Sequence, residues 1–200
     1  IFNKDRKSFE EKWESLGLFV KYGMMTDDKF LEKANKFLVL ESTEGKFQTL
    51  EEYKLATVAL QQNKEVKQVV LYTTNPVQQD AFIQQATAKG YIVIKLETII
   101  DNGFINQMEM KWENIVFTRV DSDIADNLID KQEGSETVLN KDEEAKLKEL
   151  FCVQVPELNI TVEVKGLSAD APPVVATRPE FMRRMKDMAA LQGGMGAFYA

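Results

Sequence analysis

A methionine-rich segment near the end of the chain, residues 177–192, carries the side chains best suited to binding another molecule. Its first residues, Thr-Arg-Pro-Glu, form a capping box with proline in the first turn, which predicts a helix start. Helical spacing then places the apolar side chains on one arc: Phe181, Met182, Met185, Met188 and Ala189. Methionine adapts its shape to different partners and specifies a unique core poorly, so this arc predicts an exposed binding surface. The alternative is that the methionine face packs against its own domain.

Polar side chains after two predicted strands form a second candidate site, for a phosphate group or a magnesium ion. Residues 73–75 (Thr-Thr-Asn) follow the first strand and residues 121–123 (Asp-Ser-Asp) follow the third. Ligands of open α/β sheets bind at this carboxyl edge. The alternative interpretation is that these residues cap the helices that follow. It is favoured because no glycine-rich phosphate loop and no lysine follow the first strand.

An aromatic residue at the start of a predicted helix is a third candidate. Phe104 follows Gly103, which could leave its ring partly exposed. The spacing favours the alternative, a core aromatic. Cys152, at the end of a charged helix, is predicted to be a small buried apolar residue.

The composition excludes several classes of function. The 200 residues contain no histidine and one cysteine, so Ser-His-Asp or Cys-His catalysis, an internal disulfide and a multi-thiolate zinc site are all excluded within this sequence. The net charge of −7 and the lack of a basic run argue against a nucleic-acid partner. No apolar stretch is long enough for a membrane span, and we expect no membrane partner. The single cysteine fits a reducing compartment such as the cytoplasm.

The predicted elements indicate an α/β protein. Helices are expected over residues 5–22, from Thr26 or Asp27, and from the capping box at Thr49. Apolar strands at 69–72, 91–96 and 115–120 alternate with helices that start at Asn75 and near Phe104. This order predicts a short parallel sheet with helices on both faces, a small three-layer α/β/α subdomain preceded by helices. After a polar stretch near residue 135, a charged helix over 142–151, an alternating strand over 160–164 and a short strand near 174–175 predict a truncated α+β domain.

Five segments of the chain resemble the ninety-kilodalton heat-shock chaperone family. They are FEEKWESLGLFVKYGMMTDDKFLEKAN, TEGKFQTLEEY, QQDAFIQQATAKGYIVI, FTRVDSD and APPVVATRPEFMRRMKDMAALQGG. They occur in the family's order, and the last resembles the bacterial HtpG type. The resemblance implies that residues 1–65 are the helical connector of the family's middle domain. Residues 66–134 would be its small α/β/α subdomain, and residues 135–200 the start of the carboxy-terminal dimerisation domain.

The resemblance implies a fragment of an ATP-dependent, homodimeric chaperone of the cytoplasm that binds unfolded client proteins. ATP and magnesium would bind in an upstream domain, so this fragment is expected to hold no cofactor and to catalyse nothing itself. Its role would be to supply client-binding surface and the scaffold between the ATPase and dimerisation regions. The alternative function is a small-ligand or phosphate-binding α/β domain, and a third is a structural spacer.

Client-binding residues follow from the resemblance by position. The family's client-contacting amphipathic segment corresponds to Met182, Met185, Met188 and Leu191, with Met195 and Phe198 in the glycine-rich stretch that follows. A client-contacting aromatic in the last middle-domain helix corresponds to Phe104, with Gln107 beside it. The tryptophan of some family members is replaced there.

Overall fold

The computed structural model describes residues 2–63, 65–122, 139–154, 160–164, 166, 173–174, 176 and 180–191. The chain divides into two compact units. One comprises Ile1–Ile129 with Thr177–Ala200, and the other comprises Asp130–Ala176. The domain boundaries predicted after residues 65 and 134 stay predictions.

Three helices open the first unit: α1 (Arg6–Glu11), α2 (Trp13–Thr26) and α3 (Asp28–Ala34). The single helix predicted over residues 5–22 is therefore two, because Lys12 is the C-cap of α1 and the N-cap of α2. Asp27 caps α3 as predicted, and its Oδ1 accepts the Lys29 N–H at 2.8 Å.

A two-stranded antiparallel hairpin follows, formed by β1 (Val39–Glu41) and β2 (Phe47–Thr49). The sequence did not predict these strands, because three residues each are too few to show a period of two. Helix α4 (Leu50–Thr57) begins at the predicted capping box: Thr49 Oγ1 accepts the Glu52 N–H, and the Glu52 carboxylate accepts the Thr49 N–H.

The predicted parallel sheet is confirmed, with strand order β4-β3-β5. Its elements are β3 (Gln68–Thr73), α5 (Asp80–Ala88), β4 (Val93–Lys95), α6 (Asp101–Lys111) and β5 (Ile115–Arg119). Helix α5 begins at Asp80 rather than at the predicted Asn75, because residues 76–79 form a turn.

Helices cover both faces of this sheet, as a three-layer α/β/α arrangement requires. On one face, Ile83 and Ala86 of α5 pack with Val69 and Leu71. On the other, α6 packs with the N-terminal helices in one core that includes Phe104, Tyr72, Phe117 and Trp13. The alternation of β3 side chains between the two cores follows from the period of two in a strand.

The second unit contains α7 (Lys141–Gln154), close to the charged helix that was predicted. None of its residues is buried, and the prediction that Cys152 is buried is wrong, because its thiol is exposed. The strand predicted over 160–164 is also wrong: those residues have no regular structure. A strand needs a neighbour for its backbone hydrogen bonds, and the described part of this unit offers none. Of the strand predicted near 174–175, Val174 has no regular structure and Val175 lies outside the described residues.

The last described element is α8 (Glu180–Leu191), which belongs to the first unit. Its predicted capping residues 177–179 lie outside the described part of the chain. None of the described helices is long and apolar enough to cross a membrane.

Candidate functional site

Helix α8 is amphipathic, and charged side chains near its start pack against the α/β subdomain. Glu180 and Arg183 are 7% and 3% exposed, whereas Phe181 and Met182 on the apolar arc are 70% and 46% exposed. Met185 is half-buried. Amphipathic helices of globular proteins ordinarily bury their apolar face. The first turns of α8 do the reverse and leave two large apolar side chains open to solvent, whereas Ala189, farther along the apolar arc, is buried.

The first anchor of α8 is formed by Arg183 and Tyr72 of β3. The Arg183 guanidinium donates to the Tyr72 hydroxyl and lies over the Tyr72 ring, with Cζ 5.6 Å from its centroid. Glu180 completes the group: its Oε2 accepts the Arg183 Nε–H at 3.1 Å, and its Oε1 lies 3.4 Å from the Tyr72 hydroxyl. This ion pair is shielded from water, since the Arg183 and Glu180 side chains are 3% and 8% exposed.

The second anchor joins Arg184 to α6 and β5. Its Nη1 donates to Glu109 Oε2 at 2.6 Å and to Asn106 Oδ1 at 3.2 Å, and its Nη2 donates to the Phe117 carbonyl at 2.6 Å. Arg184 Nε donates to Glu180 Oε1 at 2.8 Å. Glu109 also accepts the Phe117 backbone N–H at 2.6 Å. A single carboxylate therefore connects the sheet, α6 and α8, and the planar fork of arginine suits this set of acceptors.

The pKa shifts of Glu180 and Arg184 favour the charged form of both groups. Burial opposes ionisation of Glu180, but hydrogen bonds and charge from Arg183 and Arg184 outweigh it and lower the pKa of Glu180. Burial also opposes the charge of Arg184, yet Glu109 and Glu180 raise its pKa. Burial raises the pKa of the Tyr72 phenol, which stays neutral and able to both donate and accept.

The predicted client-binding residues fall into three groups. Met182 is exposed and Met185 half-buried on α8. Side chains of Met188 and Leu191, and all of Met195 and Phe198, lie outside what the structure describes.

The third group comprises the two residues of α6. Phe104 has no exposed surface, because its ring is enclosed by the main core and meets Trp112 edge-on at 5.9 Å. The interpretation as a core aromatic is thus the correct one in this conformation. Gln107 is half-buried, and its Oε1 is buried without a hydrogen-bond partner. The α6 residues that bond α8 are Asn106 and Glu109.

At the carboxyl edge of the sheet, the polar side chains form hydrogen bonds with neighbouring groups of the protein itself. Gln79 Oε1 accepts the Thr73 hydroxyl at 2.6 Å and the Thr74 N–H at 3.1 Å, and the Asn75 side chain caps the Gln78 N–H at 3.0 Å. Asp121 receives two hydrogen bonds from Arg119, at 2.5 and 2.9 Å. Burial disfavours the charge of Asp121, but these bonds lower its pKa. Asp123 lies outside the described residues, and the residues that are described contain no cluster of metal-ligand type.

The residues that anchor α8 were missed by sequence reasoning. No periodicity identifies the acceptors of the charged side chains, because Tyr72 is 108 residues from Glu180 and Glu109 is 75 residues from Arg184. One signal was available. Tyr72 is a hydroxyl in an otherwise apolar buried run, and a buried hydroxyl requires a polar partner.

Comparison with known proteins assigns the family. The model of the Hsp90 protein family matches residues 2–190. The chaperone protein HtpG of Porphyromonas gingivalis strain ATCC 33277 is 42% identical, and those of Bacteroides fragilis strain YCH46 and Bacteroides thetaiotaomicron are 40% and 39% identical. Each alignment covers the whole chain but only 29–30% of the relative, so the chain spans less than a third of these proteins. The match over nearly all residues, together with these identities, makes the chain a member of the Hsp90 family.

Proposed function

We propose that this chain is part of an ATP-dependent molecular chaperone and supplies a client-binding surface on α8. In this proposal it also forms the scaffold between an upstream ATPase domain, which binds ATP and magnesium, and a dimerisation region of the homodimeric parent. The parent works in the cytoplasm and binds unfolded or partly folded proteins. The chain itself neither binds nor hydrolyses ATP.

One observation carries the proposal: α8 is anchored by charged side chains near its start, with Phe181 70% and Met182 46% exposed. An exposed aromatic beside an exposed methionine is costly in water and is typical of interaction sites. Methionine and phenylalanine together offer a large, adaptable apolar surface, which suits partners of varied sequence. Phe181 joins the predicted set on this ground.

The phosphate-binding alternative has less support. The backbone N–H groups of Thr74 and Asn75 already point at Gln79 Oε1, at 3.1 and 3.3 Å. Asp121 is occupied by Arg119. A phosphate or magnesium ion would have to displace these internal bonds. Titration calorimetry with magnesium and common nucleotides tests the alternative, and saturable stoichiometric binding by this chain would favour it.

Replacing Phe181 and Met182 together by serine tests the client-binding proposal. The exposed fractions, applied to side chains of roughly 200 Å² each, give about 230 Å² of apolar surface. At ~25 cal/mol per Å², complete burial against a client would contribute about 6 kcal/mol. Even a quarter of this amount corresponds to roughly a tenfold change in affinity. We expect the double variant to bind a chemically unfolded model protein about tenfold more weakly than the parent chain, and to suppress its aggregation less in light scattering.

Leu55→Ser is the matched control, because Leu55 is 78% exposed on another helix, α4. It should leave client binding unchanged. The proposal fails if the α8 double variant binds the client as tightly as the parent. It also fails if Leu55→Ser weakens binding equally, since binding would then follow general surface hydrophobicity.

A further inference from the structure

We infer that Glu109 is a positioning residue whose bonds to Arg184 hold the start of α8 with Phe181 and Met182 outward. The second anchor, formed by Glu109, Asn106 and the Phe117 carbonyl around Arg184, is named the arginine latch. That the latch serves client binding rests on the proposed function. That it sets the orientation of α8 does not.

Helix α8 needs an external restraint to hold this orientation. It has 12 residues, and helices of this length are marginal in water on their own. The burial of apolar surface favours a different arrangement, in which Phe181 and Met182 turn towards the protein. The contacts that keep them outward must therefore come from the opposite face of the same turns, where Glu180, Arg183 and Arg184 lie.

The chemistry of the latch makes it specific for one orientation. Arg184 places donors on three acceptors, namely Glu109, Asn106 and the Phe117 carbonyl, between 2.6 and 3.2 Å. Its donors are fixed in a plane, so rotation of α8 about its axis breaks several bonds together. Glu109 is itself fixed, because it accepts the Phe117 N–H at 2.6 Å. One carboxylate, that of Glu109, thus fixes the position of α8 relative to β5.

The two anchors differ in their exposure to water, so we expect them to differ in how easily they open. Around Arg183 the ion pair is nearly dry, whereas the Arg184 and Glu109 side chains are 16% and 23% exposed. Water and salt ions can reach the latch and compete for its charges. The latch is therefore the anchor that opens first, and its loss frees one side of α8 while Tyr72 still holds the other.

Hydrogen exchange of the α8 amides tests the latch on the whole chain without any client. Glu109→Gln keeps the size of the side chain and an acceptor for the Phe117 N–H, but it removes the charge that Arg184 binds. Arg184→Met keeps the unbranched stem and removes all donors. We expect both variants to exchange the amides of residues 181–191 about tenfold faster than the parent, because one side of α8 is released. Arg184→Lys, which keeps the charge without the fork, should fall between them and the parent.

Glu113→Gln is the matched control, since Glu113 is an exposed glutamate just after α6, and it should leave exchange unchanged. Unaltered exchange in Arg184→Met overturns the inference, because that substitution lies on α8 itself and leaves the core sequence intact. Unaltered exchange in a folded Glu109→Gln does the same. If exchange rises in both but Phe181→Ser/Met182→Ser leaves client binding intact, the latch stands and the proposed function falls.

Discussion

Replacing Lys21 by methionine removes one partner of a buried ion pair that joins the N-terminal helices to the α/β subdomain. Lys21 Nζ on α2 lies 2.6 Å from Asp101 Oδ1 at the start of α6, and the two side chains are only 8% and 4% exposed. The ammonium group also lies 5.8 Å from the centroid of the Phe104 ring. Methionine preserves the apolar stem, so the substitution removes the charge and the hydrogen bond with little loss of packing.

The expected loss of stability follows from the Asp101 carboxylate, which loses its charged partner. After Lys21→Met, the Asp101 carboxylate is buried with the Thr98 N–H as its remaining described donor, at 2.8 Å. Breaking a buried ion pair on one side typically costs ~3–5 kcal/mol. The surviving hydrogen bond places this case at the lower end, about 3 kcal/mol. With a urea dependence of ~2 kcal/mol per molar, the unfolding midpoint should fall by about 1.5 M.

Tryptophan fluorescence during urea unfolding measures this effect cleanly. Both tryptophans of the chain, Trp13 and Trp112, are buried in the main core of the first unit. The signal therefore reports the unit that contains the ion pair. Lys111→Met is the matched control, because its ion pair with Asp28 has the same 2.6 Å length but an 84% exposed carboxylate. It should cost no more than ~0.5 kcal/mol.

Removing the charge of Asp101 as well tests whether an unpaired buried carboxylate causes the loss of stability. Asp101→Asn keeps an acceptor for the Thr98 N–H and removes the negative charge. In the Lys21→Met background it should recover at least half of the lost stability, because no unpaired charge then remains buried. A cost below ~0.5 kcal/mol for Lys21→Met would refute the argument, as would a double variant less stable than Lys21→Met alone.

Two further predictions concern the N-terminal part of the chain. The hydrogen bond from Arg6 lowers the pKa of Glu52 from 4.5 to about 2, so its stabilising contribution is present above pH 4.5 and is lost as the pH falls towards 2. Glu52→Gln should flatten the loss of stability across this window, measured as urea midpoints at several pH values, and an unchanged pH dependence would contradict it. Gln61→Leu should cost ~2 kcal/mol in urea unfolding, because it leaves the Ile92 N–H without the acceptor that Gln61 provides at 2.7 Å. It also removes the donor at 2.8 Å from the Tyr53 hydroxyl, which keeps its own bond to the Ile92 carbonyl. A cost near zero would show that these groups find other partners.

The elements predicted well from sequence are those whose signal is local. The capping box at Thr49 and the cap at Asp27 each depend on side chains within three residues, and both are formed. The central strand of the parallel sheet, β3, is buried at every residue, which its largely apolar composition already indicates. Helix α5 begins later than predicted because Gln79 bonds Thr73 and Thr74, and the turn so fixed occupies residues 76–79.

The candidate site was predictable in part. The two arcs of α8 follow from helical spacing, and Phe181 and Met182 lie exposed on the apolar one. Spacing alone cannot indicate which arc packs against the rest of the protein. That depends on the acceptors Tyr72 and Glu109, which the fold brings from distant strands and helices. Phe104 is a second case in which spacing is insufficient, because a ring at a helix start is exposed or buried according to what packs against it.

The contacts of Arg183 and Arg184 explain how the proposed client-binding surface of α8 can stay open. Such a surface must stay apolar and open, yet the hydrophobic effect closes open apolar surface wherever the chain allows it. Ion pairs and hydrogen bonds contribute little net stability, but they fix direction, because each bond has a required geometry. Arg183 and Arg184 therefore position α8 without covering Phe181 or Met182. A surface held by geometry rather than by apolar burial keeps its apolar area free, as the proposed weak binding of many sequences requires.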